Sequence, residues 1–225
     1  MNRILPLLFS LFFLTSCAGW QGAATSQVSQ RTMSYAKSQS DGLHLYWLRT
    51  QMRKPQQLFE RVLLSQGGQY QSEYRWQDGV LREVQREGVI GSGEQAQTMR
   101  LHIRFGSEGQ PLYQRYQRGD SVMPLSEAEL LQVRDYAEML VAWLQEQPSG
   151  DRLIQGYITP QSFAPCGADR SWPWQSEFLP QQALSETPQF VLALGHKRIQ
   201  DYQINQWLYQ AAHGDCFYEP TWQKQ

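Results

Sequence analysis

The sequence predicts an α+β domain: a mainly antiparallel sheet, which a half-barrel would satisfy, with one long amphipathic helix over about 126–146 packed on a face. Three observations predict it. Period-two alternation of apolar and polar residues dominates from Leu43 onward, the pattern of half-buried strands. A single stretch, Leu130, Val133, Ala137, Leu140 and Leu144, recurs at spacings of three and four, the helical period. The chain of 225 residues, with 12% aromatics, suits one core rather than several.

The elements follow in order. Leu43 to Leu48 opens the first strand, and Leu58 to Leu64 continues after a break at Lys54-Pro55. Gly67-Gly68 turns into Tyr70 to Trp76, with Tyr70, Tyr74 and Trp76 on one face and Gln71, Glu73 and Arg75 on the other. Asp78-Gly79 is a two-residue hairpin signal, because both central residues of that turn take positive φ. The return strand, Val80 to Val89, does not fit a simple register. Pairing Trp76 with Leu81 sets Glu83 opposite Tyr74, so a bulge or a longer loop is required.

Met99 to Phe105 alternates cleanly and turns at Ser107-Glu108-Gly109 into Leu112 to Arg118. His102 falls on its polar face between Arg100 and Arg104, a pattern that reads as a solvated outer face ahead of an anion site. Ser126 caps the helix and Glu129 completes a capping box, while Pro148-Ser149-Gly150 ends it. Leu131, Val141 and Trp143 broaden its apolar stripe, so it should lie across a sheet. Its acids, Glu127, Glu129, Asp135 and Glu138, read as its wet face. Arg152 to Thr159 is a strand, 160–189 a Pro-rich irregular stretch, and Phe190 to Leu194, Tyr202 to Tyr209 and Asp215 to Tyr218 are closing strands.

The N-terminus carries an address. Met1-Asn2-Arg3 precedes an apolar run from Ile4 to Leu14, too short at eleven residues to span a bilayer and of the length of a signal-peptide core. Leu14-Thr15-Ser16-Cys17 resembles the bacterial lipobox, which implies cleavage after residue 16 and a diacylglycerol, with further palmitate-type acyl chains, on Cys17. Ala18, in place of Asp, implies sorting to the outer membrane with the body in the periplasm. The expected organisation is a signal peptide over 1–16, a lipidated Cys and flexible tether over 17–42, and a single α+β domain over 43–225. Trp20, Val28, Met33 and Tyr35 leave open that part of 18–42 docks on that domain.

Charge excludes one class of partner. With 20 basic against 21 acidic residues, the chain has no long-range field to hold a polyanion, so no nucleic acid is expected. The expected partners are the membrane, through the acyl group, and an envelope protein, glycan or lipid. Setting Cys17 aside leaves Cys166 and Cys216, which in an oxidising compartment are expected as a disulfide. Two lesser alternatives are a metal site of Cys166, His213 and Cys216, which lacks a fourth ligand, and a redox pair, which lacks the close spacing.

Phosphate loops, dinucleotide fingerprints and zinc-hydrolase helices are missing from the sequence, so no catalytic residue, metal or cofactor is assigned. Gly91-Ser92-Gly93 lacks the frame of a nucleophile elbow and reads as a loop. The candidate binding surface is Trp172 and Trp174, which flank Pro173 and could stack on a sugar or tuck over the core. The expectation is a non-enzymatic binding or accessory module. Its alternatives are a carrier of a lipid-like ligand in a half-barrel and an envelope-polymer hydrolase whose site is not visible in the sequence.

Glu73 to Gly79, Arg104-Phe105 with its Gly109 turn, and Leu125-Ser126 opening the helix resemble the YjaH-like family of uncharacterised γ-proteobacterial lipoproteins. The resemblance runs from the lipobox to Cys216. It implies a lipid-anchored envelope protein and carries over no catalytic residue.

Overall fold

The computed structural model describes residues 29–180 and 182–222. The signal peptide, Cys17 and residues 18–28 of the expected tether lie outside the described residues. Sheet A is an eight-stranded antiparallel meander in chain order: β1 (Gln30–Gln39), β2 (Gly42–Gln51), β3 (Lys54–Leu64), β4 (Gly68–Gln77), β5 (Val80–Ile90), β6 (Gln97–Phe105), β7 (Pro111–Arg118) and the short β8 (Ser121–Val122). Helix α1 (Glu127–Glu146) follows. Sheet B takes β9 (Arg152–Ile158), β10 (Phe163–Pro165), β11 (Trp174–Ser176), β12 (Gln189–Lys197) and β13 (Tyr202–Ala211), in the order β10-β9-β12-β13-β11. Among the described strands only β11 runs parallel to its neighbour, β13. Sheet B is half-barrel-like, and two register shifts along β12 bend it against β13. The α+β class, mainly antiparallel with one helix, is thus the observed one.

The chain stacks as α1, sheet A, sheet B and an outer loop. Even-numbered residues of β2 and β3, such as Tyr46, Leu48 and Leu58, face α1 and meet Leu130, Ala137, Leu140, Val141 and Leu144. Leu43, Leu45 and Trp47, one residue out of phase, face sheet B and pack on Leu153, Phe190, Leu192, Leu194 and Leu208. The far face of sheet B buries Ile154, Ile158, Val191 and Ile204 under the segment that carries Trp172 and leads into Trp174 of β11. Because sheet B lies beneath β1, β2 and β3, the same face of β4–β7 stays open, with Gln71, Gln85, Glu87, Arg100 and Arg104 exposed.

Three sequence expectations change. The expected tether of 17–42 and the boundary at residue 43 give way to β1, which pairs with β2 along its full length from Gln30↔Gln51 to Gln39↔Gly42. Its hydrophobic signal is sparse, but Met33 and Tyr35 pack on the core under α1 and Ala36 on the core between the sheets. The single sheet becomes two, since α1 and the 160–189 stretch interrupt the meander. Asp215 to Tyr218 forms no strand, because the disulfide and side-chain contacts hold it against the inter-sheet core.

Two local expectations hold. Asp78 and Gly79 have φ of 55° and 85°, and a bulge between Arg75 and Trp76 lets Trp76 pair with Leu81 while Arg75 meets Glu83 and Tyr74 meets Val84. At the helix start, the Ser126 hydroxyl accepts from the Glu129 backbone N–H and the Glu129 carboxylate accepts from the Ser126 N–H.

Candidate functional site

The α1-facing side of sheet A is largely apolar, but a polar row crosses its strands and His44, opposite Val62, adjoins it. Tyr46 on β2 pairs with Glu60 on β3, Glu60 with Ser72 on β4, and Ser72 with Arg86 on β5. Each occupies an inward position by alternation, so the strand that buries Leu58 and Val62 also buries Glu60, only 1% exposed.

Glu60 is fully partnered. Its Oε1 accepts from Tyr136 of α1 at 2.6 Å and meets His44 Nδ1 at 3.0 Å, and its Oε2 accepts from the Tyr74 hydroxyl at 3.0 Å. Arg86 stands 3.9 Å from Oε2, donates to Ser72 Oγ at 2.8 Å and to the Tyr74 hydroxyl at 3.1 Å, and lies over the Tyr70 ring at 4.9 Å. His44 Nε2 meets Asp41 Oδ1 at 3.0 Å. Two carboxylates thus face an arginine and an imidazole, and the cluster is neutral when His44 is protonated.

The shifts follow from this packing. Burial alone would push the Glu60 carboxyl up, but the His44 hydrogen bond, the Arg86 charge and the Tyr136 hydrogen bond together hold it below the ordinary carboxylate range. Burial would likewise depress His44, yet its bonds to Glu60 and Asp41 hold the imidazolium above its usual value. Burial pushes the Tyr70 phenol up to about 12, with Arg86 opposing it. Tyr136 is also pushed up, first by burial and then by the Glu60 charge.

The cluster forms the floor of a cleft of about 520 Å³ between α1 and β4–β7. His44, Arg86, Tyr70 and Tyr136 supply polar edges, and Met99, Leu101, Leu125 and Val133 an apolar wall. Beyond the cleft, the space between α1 and sheet A is filled by side chains such as Tyr74, Trp76, Leu81 and Phe105. A cleft of this kind can seat a small amphipathic molecule at its mouth, with its polar end toward Arg86 and Tyr136.

The residues singled out in the sequence fall elsewhere. Cys166 and Cys216 form the expected disulfide with Cα atoms 5.9 Å apart, which takes both sulfurs out of the metal-site alternative. Among the described residues, no three His, Cys, Asp and Glu side chains gather around a metal position. Trp172 and Trp174 sit together over sheet B, each half-buried. Trp174 donates to the Thr159 carbonyl at 2.9 Å and meets Trp207 edge-on, while Trp172 carries Arg170 and Lys197 against its ring at 4.7 and 4.4 Å. They close the core of that sheet.

Sequence reasoning missed His44, Glu60, Arg86 and Tyr136 as a group. The signal that could have found them is parity: a polar side chain on the apolar phase of each of four successive strands, His44, Glu60, Ser72 and Arg86.

No curated protein and no solved structure matches the chain. A family described as "protein of unknown function (DUF1481)" matches residues 36–221, a span that begins within β1 and ends beyond Cys216. It covers well over half of the chain, and the protein therefore belongs to the DUF1481 family.

Proposed function

We propose that this protein is a lipid-anchored envelope module of the YjaH-like type, acting by binding rather than catalysis at the periplasmic face of the outer membrane, with the cleft beside α1 as its ligand site. The observation that carries the reading is the state of the charges on the cleft floor. Glu60, Asp41, His44 and Arg86 neutralise one another within hydrogen-bond or ion-pair distance, so the floor is organised for recognition and no group there is poised to attack. The apolar wall of Met99, Leu101 and Val133 favours a ligand with a hydrocarbon part. The packed interior beside it favours a molecule seated at the mouth over an acyl chain swallowed whole. The Leu14-Thr15-Ser16-Cys17 sequence supports the anchor.

The test is extraction of the full-length protein from envelopes in mild detergent, followed by mass spectrometry of whatever organic solvent releases from it. The wild type should yield one amphipathic molecule in near-stoichiometric amount, and Val133→Trp, which fills the cleft, should yield none. An empty wild type, or equal yield from the filled variant, would overturn the reading. For the anchor, Cys17→Ala should give an uncleaved or soluble form on fractionation, and mature protein still in the outer membrane would count against it.

A further inference from the structure

The open face of sheet A carries a second arrangement, independent of the cleft. Strand pairing brings three rows of side chains across β4–β7: Gln71, Glu87, Arg100 and Gln117; Glu73, Gln85, His102 and Arg115; Arg75, Glu83, Arg104 and Tyr113. Arg61 of β3 extends the first row and donates to Gln71 Oε1 at 3.1 Å. Five arginines stand on this face against three glutamates, on a chain whose overall charge is −1.

The carboxylates are largely spoken for. Arg75 binds Glu73 at 2.5 Å and Glu83 at 2.8 Å, and Glu83 also meets His102 Nε2 at 2.6 Å. Glu87 accepts from Gln71. Arg100, Arg104 and Arg115 are exposed and make no ion pair among the described residues. Arg100 and Arg104 lie about 13 Å apart along β6, and Arg115 enters beside His102, about midway between them on the neighbouring strand. Glu87 and Glu83 stand opposite Arg100 and Arg104 across the β5–β6 pair and offset part of their charge without forming an ion pair, while Arg115 faces His102 and has no carboxylate opposite it. Arg100, His102 and Arg115 line a groove of about 380 Å³ that Glu73, Gln85 and Glu87 complete.

We infer that this groove is a binding site for a phosphate-bearing ligand, held by Arg100 and Arg115 with Arg104 at its rim. A guanidinium fork grips one oxyanion edge, and a phosphate monoester offers three acceptor oxygens and nearly two charges, enough to bridge two guanidinium groups; a single carboxylate satisfies one. Glu83, diagonal to His102 on the adjacent strand, holds the imidazole by its Nε2 at 2.6 Å and fixes the ring in the groove wall. The phosphate can belong to a soluble phosphate compound or to a lipid headgroup.

Titration calorimetry on the purified full-length protein, in nonionic detergent at low salt, separates these sources. One arm uses inorganic pyrophosphate and the other dihexanoyl phosphatidic acid. The wild type should bind at least one of them with an affinity that falls as salt rises, and the Arg100→Gln/Arg115→Gln variant should bind at least tenfold more weakly with an unchanged thermal midpoint. Arg152→Gln, which removes an exposed arginine of sheet B, should bind as the wild type does. Tighter binding of the lipid points to a headgroup, and equal or tighter binding of pyrophosphate to a soluble compound; either supports the site. No binding in either arm overturns it, as does equal binding by the double variant or an equal loss in Arg152→Gln, which would reduce the effect to net charge. Binding that survives Val133→Trp keeps this site distinct from the cleft.

Discussion

Tyr136 of α1 donates a 2.6 Å hydrogen bond to Glu60 of β3, across 76 residues of chain, at the only carboxylate buried between the helix and the strands of sheet A among the described residues. This contact couples the placement of α1 to the charge cluster, because it is directional where the rest of the interface, built on Leu, Ile, Val, Phe, Tyr and Trp side chains, is mainly apolar packing.

Removing either partner should therefore cost stability. Tyr136→Phe deletes one hydrogen bond to a carboxylate and should lower unfolding free energy by about 1.5–3 kcal/mol. Glu60→Gln leaves Arg86 and His44 without their buried counter-charge and should cost more, about 3–5 kcal/mol. Urea denaturation of both variants checks the order. A loss under 0.5 kcal/mol in both would show that the cluster contributes nothing to holding α1.

The cluster also sets a pH window. His44 is held above its ordinary value of 6.5, so its contribution is fully present below that pH and is lost as pH rises through the raised value. Glu60 and Asp41 are held below their ordinary 4.5 and 3.8, so theirs is present above those values and is lost as pH falls through the depressed ones. Stability should peak between about pH 5 and 6.5 and decline on both sides. In His44→Gln the alkaline decline should flatten, and a wild type whose denaturation midpoint is constant from pH 6 to 9 would contradict the assignment.

Reduction of the disulfide should release the C-terminal segment. The Cys166–Cys216 bond closes a separation of 50 residues, for which chain entropy gives about 4 kcal/mol. Beyond it Phe217 stacks against Arg61, and Trp222 meets Phe59 edge-on at 5.4 Å. With reductant, the denaturation midpoint should fall and protease should cut within 213–222 while β1–β7 stay protected. Simultaneous loss of all protection would mean that the tail is integral to the core.

The helix cap offers a smaller, local test. Ser126→Ala leaves the Glu129 backbone N–H without its acceptor and should cost about 1 kcal/mol. Ser126→Asp, which restores an acceptor, should recover most of it. Equal stability of all three proteins by thermal unfolding would exclude a role for the box.

Local rules made much of this fold legible. The Asp78-Gly79 turn, the need for a bulge or a longer loop beside it, the β6–β7 hairpin and the capped helix each depend on residues within a few positions of one another. β1 escaped notice because an edge strand needs few apolar residues: its backbone bonds to β2 supply its order, and only Met33, Tyr35 and Ala36 reach a core. The short β10 and β11 were hidden for a similar reason, since three-residue strands carry no period. In the site, His44 and Glu60 are visible singly as polar residues on an apolar phase. Their meeting depends on how β2 and β3 register, which the alternation of either strand leaves open.

By itself the sequence determined the class of the fold, the position and capping of α1, the turn chemistry and the pairing partner of each body cysteine, because propensity, periodicity and a count of two are local or combinatorial facts. Tertiary structure alone decided that the strands divide between two sheets, that four charged side chains from three strands and the β1–β2 turn neutralise one another beneath α1, and that Arg115 joins Arg100 and Arg104 on one open face. Those arrangements arise where strands pair across long stretches of chain. Burial then charges so high a penalty for an unpartnered ion that the register bringing Glu60 to His44, Arg86 and Tyr136 is the one the core can tolerate.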